Sequence, residues 1–196
     1  MVIIRHFYIG SRAYIYLIWN LFLSWIPFGV SMLMTYLFSH NSKKHSLILI
    51  FLGCFWLLFY PNAPYMITDF IHYRFSSSFL AWIDLVIFSA FILTSFLIGF
   101  ISLFLVSRIV EKKFNKPFAW LFILCTLFLS SYGIYLGRVI RWNSWDLIFK
   151  PAVLVRSLIE NIHTQSIIFS LTYGALLTLI YGFLYGLTYL RLEKID

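Results

Sequence analysis

FLAWIDLVIFSAFILTSFLIGFISLFLV, from Phe79 to Val106, carries a single charged side chain, Asp84. A bilayer core of ~30 Å is crossed by about 20 helical residues, and this run exceeds that length. The whole chain has the same character, with 62% hydrophobic, 21% aromatic and 11% charged residues and a mean hydropathy of +0.89. Soluble domains hold about a quarter of their residues as charges. The composition therefore predicts an all-α, polytopic transmembrane helix bundle in a single integral membrane domain.

Besides Phe79–Val106, four further runs are long or apolar enough to span: Ala13 to Phe38, Ser46 to Tyr60, Pro117 to Gly137 and Ser166 to Leu190. The run from Ser46 is short and is expected to continue past Pro61 or to meet a thinned bilayer. Arg5 and Arg12 precede a first run that is too long for a signal-peptide core and has no small-residue cleavage site, so it is expected to stay as an anchor. Interfacial helices are expected over about 64–74 and 138–162, the latter including an amphipathic segment, Pro151 to Ile162, with an i,i+4 pair of Arg156 and Glu160. Cys54 and Cys125 lie inside apolar runs and read as small hydrophobes without a disulfide. Five spans put the N-terminus, the loop after the second span and the loop after the fourth on one side.

Two polar motifs occupy those loops. The first is Tyr60-Pro-Asn-Ala-Pro-Tyr-Met-Ile-Thr-Asp-Phe-Ile-His-Tyr73. Pro61 ends the second span, Pro64 is expected to push Ala63 out of helical geometry and to start a short helix capped by Asn62, and Tyr65, Asp69 and Tyr73 then repeat at i,i+4 with Thr68 and His72 alongside. The second is Tyr132-Gly-Ile-Tyr-Leu-Gly-Arg-Val-Ile-Arg-Trp-Asn-Ser-Trp-Asp146. Read as one helix, it aligns Arg138, Trp142 and Asp146 at i, i+4 and i+8, with Arg141 and Trp145 on the adjacent row. Asp84 and Asn20 lie at similar depth on the same side. Charged groups at membrane depth are costly and mark sites by default.

The Pro-Asn-Ala-Pro-Tyr-x-x-Thr-Asp-x-x-His core at Pro61–His72, together with Gly-Arg-x-x-Arg-Trp-Asn-Ser-Trp-Asp at Gly137–Asp146, resembles the bacterial multi-pass membrane family catalogued as domain of unknown function 1361. The resemblance covers most of the chain. It implies a bacterial polytopic membrane protein with these two segments as its signature, and it implies no reaction.

The ligand-binding residues expected from the two motifs are Asn62, Tyr65, Asp69, His72, Asp84, Arg138, Arg141, Trp142, Trp145 and Asp146. Arg138 and Arg141 present planar donors suited to phosphate or carboxylate, so an anionic lipid or a lipid-linked ligand is the expected partner besides the bilayer. The bland alternative is an ion-pair network that fastens two loops. An enzyme acting on a lipid-linked phosphate would use Asp69 or His72 as general base. No nucleophile motif or Gly-rich phosphate loop accompanies them, and one histidine with carboxylates suits zinc poorly, so no metal site and no particular cofactor is expected. A small transporter or accessory subunit is the third reading, a homo-oligomer assembled through Gly133/Gly137 and the Gly174, Thr178, Gly182, Gly186 ladder. The +8 net charge lies in short loops rather than in a stripe, which argues against nucleic acid.

Basic residues are nearly balanced between the two sides. If Arg138 and Arg141 belong to a site, the dense Arg108–Lys116 loop reads as cytoplasmic and the motifs face outward, across a plasma membrane. With a Lys113→Cys substitution, the new thiol is expected to be shielded from a membrane-impermeant reagent in intact cells; ready labelling there reverses the orientation.

Overall fold

The computed structural model describes residues 15–41, 46–72, 79–142 and 149–192. Those residues are helical apart from short connections, with no strand among them. Helical segments long and apolar enough to cross a membrane are Tyr16–His40, Ser46–Phe70, Ala81–Lys113, Lys116–Ile140 and Thr164–Thr188. The protein is thus an all-α, multi-pass bundle, built as two compact units, Met1–Ile109 and Val110–Asp196.

In the first unit, α1 (Ile15–Asn41) and α2 (Ser46–Phe59) are followed by a short α3 (Asn62–Tyr65), a 3-10 turn over Met66–His72, and the long α4 (Phe79–Lys113). The inner face of α1 carries Leu17, Asn20, Ser24, Pro27, Ser31 and Met34 at alternating steps of three and four, the spacing of one helical stripe. Contacts along it fix the direction of its neighbours. Met34 approaches Gly53, with its terminal carbon 3.8 Å from where a Cβ on that glycine would lie, Ser24 Oγ reaches Asn62 O at 3.3 Å, and Asn20 reaches Asp69 at 3.0 Å. Numbers fall on one element as they rise on the other, so α2 and the segment after it run antiparallel to α1. α4 runs parallel to α1, since Ser24 meets Ser95 at 2.5 Å and Ser102 Oγ donates to Pro27 O at 2.9 Å.

The Pro61–Pro64 break is seated by this arrangement. Asn62 Nδ2 donates to Phe59 O at 2.8 Å, closing the end of α2; it does not cap the helix that follows, whose N-cap position is Pro61. Ala63 is helical despite preceding a proline. Its carbonyl accepts from Ser95 Oγ at 2.8 Å, and that tertiary bond overrides the local bias. The expected i,i+4 face of Tyr65, Asp69 and Tyr73 gives way to 3-10 winding, whose rows repeat every three residues. Met66 and Asp69 are accordingly the buried pair, at 0% and 1% exposure, whereas Tyr65 is half-buried; Tyr73 lies outside the described residues. Met66 joins Leu17, Ile87, Phe88 and Ile92 in the core of this unit.

In the second unit, Asn115 caps α5 (Lys116–Tyr135) by accepting from Phe118 N at 2.8 Å, with Pro117 in the first turn. A π-helical turn, Leu136–Ile140, extends α5. After it come α6 (Pro151–Glu160) and α7 (Thr164–Leu192). α5 and α7 are antiparallel: Trp120 packs edge-on against Tyr185 with ring centroids 4.9 Å apart, Phe128 lies over Gly174, and Tyr135 Oη meets His163 Nε2 at 3.0 Å. The glycine ladder of α7 divides, because Gly174 meets Phe128 while Gly182 and Gly186 have nothing within 4 Å of an added Cβ.

One close helix approach in the first unit rests on Gly99, where an added Cβ would lie 2.7 Å from Ala63 Cβ. Ala63 has no rotamer with which to retreat. A Gly99→Ala substitution should therefore lower stability by about 1–3 kcal/mol as overpacking. Adding Ala63→Gly should restore part of the loss, measured by thermal unfolding in detergent; a second substitution that only worsens the first would refute this account.

Candidate functional site

In the first unit the polar residues gather where α1 begins and the broken segment ends. Asp69, 1% exposed, sits in the 3-10 turn and accepts a hydrogen bond from Asn20 Nδ2 at 3.0 Å. One helical turn deeper, Ser24 Oγ lies 2.9 Å from Asn20 O and 2.5 Å from Ser95 Oγ, which in turn donates to Ala63 O. Thr68 turns its hydroxyl back to Tyr65 O at 2.6 Å, a local bond that supports the turn. Asp84, 9% exposed, is eleven residues before Ser95 and so shares its face of α4 at about 100° per residue. A carboxylate of a 3-10 turn is thus held in the interior of a membrane-spanning unit by a side-chain amide. His72 ends the turn.

In the second unit the π-helical turn carries Arg138, half-buried. Arg141 then adopts φ 67° and ψ 33°, the left-handed region, and is the non-glycine residue with positive φ among those described. This overturns the continuous helix expected from Arg138 to Asp146. Arg141 N–H and Trp142 N–H both turn back to Leu136 O, the latter at 3.2 Å. Such a left-handed cap satisfies terminal carbonyls that a membrane boundary cannot leave bare, and it removes Trp142 from the row of Arg138. Trp142 is instead pinned by its indole, whose Nε1 donates to Ser157 Oγ at 2.9 Å, and Ser157 Oγ also accepts from Asn161 Nδ2 at 3.0 Å. The Arg141 side chain is exposed. Trp145 and Asp146 lie outside the described residues.

Asn62, Tyr65, Asp69, His72 and Asp84 therefore belong to the first unit, and Arg138, Arg141 and Trp142 to the second. Asn62 turns out to be a structural cap. The motifs did not reveal the serines that seat the break, nor the anchoring of Trp142 by Ser157. A signal existed for the serines: Ser95, Gly99 and Ser102 fall on one face of an otherwise apolar run, as do Asn20, Ser24, Pro27 and Ser31. Cys54 and Cys125 are both free, and no group of three or more metal-ligating side chains occurs among the described residues.

The Asn20–Asp69 contact makes a measurable claim. Interhelical hydrogen bonds in membranes contribute about 0.6 kcal/mol on average and up to ~1.7. A double-mutant cycle of Asn20→Ala and Asp69→Ala should give a coupling in that range by unfolding in detergent micelles. Additivity within ~0.3 kcal/mol would mean that the two side chains do not interact.

No curated protein and no solved structure matches the chain. The family described as protein of unknown function (DUF1361) matches residues 19–180. That stretch reaches from the first span into the fifth and takes in both polar motifs, so the chain belongs to the DUF1361 family.

Proposed function

We propose that this protein holds an anionic ligand, a lipid headgroup or a lipid-linked phosphate, at one face of a bacterial plasma membrane, with Arg141 as the principal donor, Arg138 as its neighbour and Trp142 as a fixed wall. The observation that carries this reading is the backbone of Arg141. An L-residue in the left-handed region costs roughly 1–2 kcal/mol, and glycine or asparagine fills such a cap with less strain. Strain of this kind gathers where function requires it. The exposed guanidinium at the end of a membrane-spanning helix offers a planar fork to two oxygens of one phosphate, while the tethered indole beside it supplies a flat amphipathic surface at headgroup level.

The reading separates stability from binding. Arg141→Gly relieves the backbone while removing the donor, so the variant should unfold within about 1 kcal/mol of the parent, the relief of strain offsetting glycine's entropy. It should also lose co-purifying anionic lipid in native mass spectra. Arg141→Lys keeps the charge without the fork and should retain less lipid than the parent. If both variants are folded and carry the parent's complement of lipid and metabolite, the binding role is wrong. If Arg141→Gly instead unfolds readily, the arginine serves the fold.

A further inference from the structure

We propose that α6, Pro151–Glu160, is an in-plane membrane helix whose outward apolar face lies in the leaflet, so that the partner of this surface is the bilayer itself. The helix divides around its axis into three sectors. One faces its own unit: Leu154 is buried, Leu158 O accepts from Tyr132 Oη at 2.6 Å, and Ser157 holds the Trp142 indole. With Asn161, whose amide also bonds Ser157 O at 2.8 Å, these positions follow the i, i+3, i+4, i+7 pattern of one face.

The next sector, at about 100° per residue, holds Val155 and Ile159, exposed by 49% and 67%, and Ile162, 60% exposed, follows just past the end of the helix. The third holds Arg156 and Glu160, paired at 2.6 Å with both side chains mostly exposed. Val153 is the apolar residue that falls outside this division, beside Glu160. An isolated surface helix needs only an inner and an outer face. A helix with protein on one side, bare aliphatic groups on the second and an ion pair on the third matches a boundary where protein, hydrocarbon and water meet.

Two features single out lipid over a protein partner. The Tyr132 and Trp142 tethers fasten α6 to the end of a spanning helix, which sets its depth at the membrane boundary. The next exposed large aliphatic residues along the chain after Ile162 are Ile167, Ile168 and Leu171, in the first turns of a segment long and apolar enough to span a membrane. Chain continuity therefore puts α6 directly before the start of that span, at its boundary. Lys150 and Arg156 place positive charge at the level of anionic headgroups.

The test uses the full chain carrying Cys54→Ala and Cys125→Ala, reconstituted in phosphatidylethanolamine/phosphatidylglycerol vesicles, with a nitroxide attached singly to Val155→Cys, Arg156→Cys, Ile159→Cys, Glu160→Cys or Ile162→Cys. These positions are outward-facing and leave the tethers intact. Relaxation by oxygen, which partitions into lipid, should exceed relaxation by a water-soluble nickel chelate at positions 155, 159 and 162, and the order should reverse at 156 and 160. Free access of nickel to positions 155 and 159 would make α6 a solvated helix and overturn the proposal. Shielding of 155, 159 and 162 from both reagents would equally overturn it, since a protein would then cover the face.

Discussion

The contact on which the first unit depends is a hydrogen bond from a buried serine hydroxyl to the carbonyl of Ala63. The break at Pro61–Pro64 interrupts the helical hydrogen-bond ladder at membrane depth, where no water replaces a lost donor. Each bare carbonyl would cost several kcal/mol in hydrocarbon. Ser95 answers Ala63 O, Asn62 answers Phe59 O, and Ser102 answers Pro27 O on α1 while accepting from the Trp56 indole. Because these donors are short, the helices that carry them must approach closely, and Gly99 against Ala63 supplies the room. The break, the serines and the glycine form one device.

The second unit solves the same problem differently. α5 widens into a π-helical turn and closes on a left-handed arginine, with two successive amides returning to Leu136 O. Side chains on either side of the turn, Tyr132 and Trp142, reach forward to α6 and tie it down. A cap made from backbone leaves the arginine side chain clear of the helix it terminates. That freedom separates Arg141 from Asp69, whose carboxylate is enclosed and held by Asn20.

Much of this architecture is legible in the chain. Apolar run lengths predict the spans because hydrocarbon thickness fixes how many helical residues are needed. The polar motifs stand out because charges are scarce in such a background. The helical face at the second motif is the instructive failure: i,i+4 arithmetic on Arg138, Trp142 and Asp146 assumes an unbroken helix, and no residue of Gly-Arg-Val-Ile-Arg-Trp announces a left-handed turn. The first motif fails more mildly, since 3-10 winding puts Asp69 on a row with Met66 where i,i+4 spacing had put it on a row with Tyr65.

The all-helical membrane class, the approximate spans and the two polar segments can be read from the residues alone, since each follows from transfer of side chains and backbone between water and hydrocarbon. It is the packed fold that keeps Ala63 helical before a proline, has Asn62 close the preceding helix, makes Asn20 the amide holding Asp69, and ends a helix at Arg141 in a left-handed cap. The placements of Ala63 and Asp69 turn on which donor from another helix reaches a given carbonyl or carboxylate. Such donors lie tens of residues away, as Ser95 does from Ala63, and local propensity carries no record of them.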